Sequence, residues 1–138
     1  MKRILIFILV PLILSGCGSE GKFPILECVF NNPDGSTTKM IYDLNEYAKK
    51  KASNDKNTRF DDVASANEYR LQDIYPQGNN MVIASAVTVS KKTGSANLTI
   101  TKPFRNDGDL AASINAYSKG TNYIGICEKI KKKNYKQI

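Results

Sequence analysis

Apolar–polar alternation, cut at short intervals by Gly, Asn, Asp and Pro, is the pattern that most restricts what these 138 residues can form. A period of two places successive side chains on opposite faces of a sheet, and the turn residues reverse the chain between strands. Pro24 to Phe30 reads as a first strand, and Asn31-Asn32-Pro33-Asp34-Gly35-Ser36 as a turn. Thr37 to Leu44 returns with Thr38, Met40, Tyr42 and Leu44 on one face, which completes a hairpin. Met81 to Ser90 is rich in β-branched residues, with Met81, Ile83, Val87 and Val89 sharing a face. Lys91-Lys92-Thr93-Gly94 then turns the chain into Ala96 to Thr101, whose Leu98 and Ile100 point inward. After a second turn at Arg105-Asn106-Asp107-Gly108-Asp109, Leu110 to Ser118 alternates again, with a short helix as the other reading. Lys119-Gly120-Thr121-Asn122 leads into a last strand, Tyr123 to Ile130.

The middle of the chain admits two readings. Leu44 to Lys51 is a short helix or a strand end, followed by a polar loop from Ala52 to Thr58. Phe60, Val63, Ala64, Leu71 and Ile74 fall at helical spacing, with Asp61 and Asp62 near its start, so a helical or irregular stretch to about Asn67 is expected. A short strand through Tyr69, Leu71 and Asp73 follows, ending at the turn Ile74-Tyr75-Pro76. The expected fold class is mainly β: six or seven antiparallel strands in a small meander, barrel or sandwich, with a short helical segment in the middle. The length suits one domain, which buries roughly two-thirds of the surface of its unfolded chain.

At the start of the chain Lys2 and Arg3 precede an apolar run from Ile4 to Leu14, broken by Pro11 alone. Such a run falls short of the roughly 20 residues that a transmembrane helix needs and fits the apolar part of a signal peptide. It closes on Leu14-Ser15-Gly16-Cys17. This stretch resembles the lipobox of bacterial lipoproteins. The resemblance implies cleavage before Cys17 and lipid on its thiol and amine, so that the membrane is a partner of the chain. Gly18 in place of an Asp favours, by the same analogy, the outer membrane facing the periplasm. The expected organisation is a signal peptide over 1–16, a lipidated tether over 17–23, a β-rich domain over 24–130 and a basic tail over 131–138.

With Cys17 assigned to lipid, Cys28 and Cys127 remain, near the two ends of the domain. In an oxidising compartment an even remainder points to one disulfide, two buried free thiols being the alternative. Such a bond would tie the first strand to the last and favour a closed or nearly closed sheet. The formal charge of +7 falls to +5 once Lys2 and Arg3 are removed. A basic domain suits an acidic ligand, a protein partner or anionic lipid, and the compartment argues against nucleic acid. The tail places Lys129, Lys131, Lys132, Lys133 and Lys136 close behind Cys127, and so near the membrane, as candidate membrane or partner contacts.

The residue inventory excludes much chemistry. There is no His, hence no His-based nucleophile system and no His metal ligand. Two thiolates make half of a tetrahedral zinc site. Neither Cys28 nor Cys127 belongs to a Cys-x-x-Cys motif, and no phosphate-binding Gly motif occurs. Asp61/Asp62 and Asp107/Asp109 read as solvated turn formers and complete no calcium loop. No catalytic residue, no metal site and no cofactor is expected.

What remains is a non-catalytic, membrane-anchored binding module for a periplasmic or surface partner, of inhibitor, immunity or exclusion type. The other reading is a structural or accessory component of an envelope complex. Thr93-Gly94-Ser95-Ala96-Asn97 and Ser118-Lys119-Gly120 are weakly similar to the Ser-Gly-x-x-Tyr and Thr-Lys-Gly motifs of membrane-bound lysozyme inhibitors. The first motif differs at both ends, and the spacing between the two is longer than in that family.

Overall fold

The computed structural model describes residues 22–63 and 67–131. Cys17, Lys132, Lys133 and Lys136 lie outside them. Among the described residues there are eight strands and two short helices: β1 (Ile25–Asn31), β2 (Thr37–Asp43), α1 (Leu44–Ala52), β3 (Thr58–Val63), β4 (Glu68–Gly78), β5 (Met81–Ser90), β6 (Ser95–Ile100), β7 (Phe104–Arg105), α2 (Leu110–Ser118) and β8 (Thr121–Ile130). Every pairing is antiparallel. The order β2-β1-β8-β6-β5-β4-β3, with β7 beside β5, curls into a half-barrel. First and last strands are neighbours, and Cys28 lies directly opposite Cys127 in the β1–β8 register. The two cysteines form a disulfide across 99 residues of chain.

The open seam of the half-barrel falls between edge strands β2 and β3. Helix α1 joins those two strands and packs against β3 and β1. Asp43 caps its N-terminus by accepting from the Asn45 N–H at 3.0 Å, and Lys49, Lys50 and Lys51 occupy the last turn, where the helix dipole favours cations. Leu44 is wholly buried, and Tyr47 and Ala48 pack onto the core. That core lies on the inner face of the sheet: Leu26, Cys28 and Phe30 from β1, Tyr42, Phe60 and Leu71, Val87 and Val89 from β5, Ala96 and Leu98 from β6, and Cys127.

Both predicted hairpins are present, and the chain between them is partly different from expectation. Residues 60–63 belong to strand β3, not to a helical stretch, because Phe60 pairs with Leu71 across a β3–β4 hairpin. The helical spacing arose from two strands facing each other in sequence order. Asp61 and Asp62 are not helix-start residues; they form ion pairs with Lys51 at 4.0 Å and with Lys91. Strand β4 is long and runs through Pro76, reversing at Asn79-Asn80, both of which have positive φ. Leu110 to Ser118 is helix α2, whose alternation is overridden by three helix-favouring alanines and by Asp109, which accepts from the Ala111 N–H at 2.9 Å. Thr121 and Asn122, read as turn, already pair with Ile100 and Thr99 in β8.

Strand β5 buries Val87 and Val89 inward as expected, yet at its other end Val82 and Ala84 are the buried residues rather than Met81 and Ile83. The excursion between β6 and β8 wraps the outer face there. Phe104 pairs with Val82, and buried Thr101 donates its N–H to the Ala84 carbonyl and accepts from the Ala84 N–H, both at 2.9 Å. One strand thus buries opposite faces at its two ends.

Candidate functional site

The pairings put five chain features at one end of the half-barrel: the start of β1, the β2–α1 junction, the β3–β4 and β5–β6 reversals, and the end of β8. The chain enters here. Phe23 donates its N–H to Asn45 Oδ1 at 2.9 Å and accepts at its carbonyl from Asn45 Nδ2 at 2.7 Å, while its ring meets Phe60 edge-on at 5.1 Å. Phe23 lies six residue steps beyond Cys17, which at full extension span roughly 20 Å.

A cavity of about 190 Å³ opens at the same end, lined by Leu26, Tyr69, Val89, Lys91, Cys127 and Lys129. Lys91 is held by Asp62 and by the Tyr69 ring, 4.9 Å from its ammonium group. The β5–β6 turn shapes the rim. Gly94 has φ +79°, donates to the Ser90 carbonyl at 2.9 Å and accepts from the Cys127 N–H at 2.8 Å. A Cβ at Gly94 would run into the Cys127 carbonyl, so only glycine fits there. Of the lysines singled out in the tail, Lys129 lines this cavity and Lys131 follows it, exposed. Lys91 also lines it, and Lys92 follows in the same β5–β6 turn; as turn residues they carried no sign of this in sequence.

Further up the inner face lies a cluster of tyrosines around one carboxylate. Tyr47 donates to Asp73 Oδ2 at 2.5 Å, and the Tyr42 and Tyr47 rings are 6.5 Å apart. Burial first, then the Asp73 charge, pushes the Tyr42 hydroxyl well above its ordinary 10.0. For Tyr47 burial leads again, followed by its hydrogen bond to Asp73. Both stay neutral in the fold at pH values where an unfolded tyrosine ionises. The stability this represents is present below pH 10 and is lost as pH rises above it. The denaturant midpoint should therefore fall above pH 10, and less steeply in a Tyr42→Phe/Tyr47→Phe variant; equal slopes would refute the assignment.

The outer face shows two adjoining surfaces. A groove of about 530 Å³ crosses β4, β5, β6 and β8, lined by Arg70, Thr88, Asn97, Thr99 and Asn122 with Glu68 at its edge. Arg70 pairs with Glu68 at 3.2 Å, and Thr99 donates to Asn122 at 2.5 Å. Next to it, in register with Asn97 and Ser95, β8 exposes Ile124 and Ile126 at 57% and 67%. Val29 pairs with Ile126, and Ile41 is its diagonal neighbour on β2; both are also exposed. Exposed aliphatic side chains spread across three neighbouring strands beside a polar groove match the anatomy of a protein-binding surface.

Among the described residues no group of His, Cys, Asp and Glu could hold a metal. Thr93–Asn97 and Ser118–Gly120 are not brought together: Gly94 abuts Cys127, whereas Gly120 abuts Ile100 at the other end of the β6–β8 pair. A scan against models of known families and searches of characterised proteins and of solved structures return no match.

Proposed function

We propose that this chain is a non-catalytic lipoprotein, anchored through lipid on Cys17 in the outer membrane and facing the periplasm, which captures a protein partner on the outer face of its half-barrel. The observation that carries this reading is the row of exposed Ile124, Ile126, Val29 and Ile41 beside the groove of Arg70, Thr88, Asn97 and Asn122. Isoleucine exposed by more than half on a central strand gains nothing for the fold, whose core lies on the opposite face. A partner that covers the patch buries apolar area, and the amide and hydroxyl groups of the groove supply directional hydrogen bonds. Capture of inhibitor, immunity or exclusion type fits such a surface.

A photo-crosslinking residue placed at Ile126 in the full chain, in the cells that make it, tests this. One discrete crosslinked protein is expected, lost in Ile124→Asp and absent when the probe sits at Lys56. A resident envelope complex as the product would instead favour an accessory role, and no product above the Lys56 control would overturn the surface. Because Ile124 is exposed, the aspartate is expected to change stability by no more than about 0.5 kcal/mol.

A further inference from the structure

We propose that the cavity lined by Leu26, Tyr69, Val89, Lys91, Cys127 and Lys129 receives the phosphate head group of an anionic membrane lipid, so that this end of the half-barrel faces the bilayer. The inference rests on the reading of Cys17 as lipid-modified and adds to it a second, specific contact. Its floor is apolar, made by buried Leu26, Val89 and Cys127, and its rim carries the ammonium of Lys129 beside that of Lys91, which Asp62 already pairs. That order of groups complements a lipid head, with phosphate at the rim and the first carbons below it.

Charge around the mouth points the same way. Lys22, Lys92, Lys129 and Lys131 pair with no carboxylate among the described residues, and Asp62, the acid of this rim, is already engaged by Lys91. The Phe23 clamp keeps the entry point fixed, and six residue steps back to Cys17 hold Phe23, at the same end of the half-barrel as the mouth, within roughly 20 Å of the lipid chains. At full extension the surface lies about two Debye lengths away and is largely screened, and the attraction grows as the tether lets the domain approach within one. A domain tethered here brings the cavity and its lysines to the membrane side, since the chain enters at the same end.

Cosedimentation of the full Cys17→Ser chain with vesicles tests the cavity, while mass spectrometry of the wild-type chain tests lipid on Cys17, so either idea can fail alone. The ratio of binding to phosphatidylcholine vesicles containing phosphatidylglycerol over phosphatidylcholine alone is the readout. It should fall about fivefold in Lys129→Ala and again in Lys92→Ala. Lys56→Ala and Lys119→Ala, at the opposite end, should leave it unchanged. A ratio near one in the parent chain, equal losses from the two ends, or displacement by inorganic phosphate in solution as effective as by anionic vesicles would overturn the proposal.

Discussion

Replacing Cys28 and Cys127 together by alanine is expected to lower the stability of the domain by about 4 kcal/mol, with reductant bringing the wild-type protein down towards the same value. The bond closes a loop of 99 residues, nearly the whole described domain, and the chain-entropy model assigns about 4.7 kcal/mol to a loop of roughly 100 residues. Its position adds to this. Cys28 is fully buried and Cys127 nearly so, and they sit opposite each other in the β1–β8 pairing, which joins the first and last strands among the described residues. Without the bond, that pairing must be reached by closing the entire sheet. Denaturant titration with and without reductant checks the value; coincident midpoints would refute it.

Phe30→Ala is expected to cost a similar amount, about 4 kcal/mol. The ring is 1% exposed and is the largest wholly buried side chain in the core. It also covers a weak point in β8. Phe30 pairs with Gly125, and a Cβ at Gly125 would come within 2.6 Å of the Phe30 ring, so the aromatic lies directly over the glycine. Glycine within a strand contributes no packing of its own, and an aromatic partner restores it. Removing the ring therefore leaves a cavity and uncovers the Gly125 backbone at once. Thermal unfolding followed by circular dichroism measures the loss; a cost below that of an ordinary surface substitution would contradict this packing.

The hairpins β1–β2 and β5–β6 were legible because their turns carry Gly35 and Gly94 at positive φ between segments of clean alternation. Strand β3 was not, since Phe60 and Leu71 mimic helical spacing until the hairpin that pairs them is known. Helix α2 was hidden for the converse reason: Leu110, Ala112, Ile114 and Ala116 alternate, yet the Asp109 cap and alanine content set the local conformation. The lysine tail was legible only in part, as sequence shows Lys129 behind Cys127 but not the β5–β6 turn folded beside it.

Strand β8 separates the two sources of information most clearly. Its even positions hold Ile124 and Ile126, its odd ones Tyr123, Gly125 and Cys127. Hydrophobicity alone would bury the isoleucines. Alternation establishes that a strand has two faces, and turn residues establish where it reverses, so the sequence determined the strand order around the hairpins, the mainly β class and the cysteine pair. Which face of β8 turns inward was decided only by tertiary structure. Cys127 must meet Cys28, and Phe30 must lie over Gly125, and both hold only with the odd face inside. Shifting register by one would break the disulfide geometry and the ring packing together, and those outweigh the burial of two isoleucines.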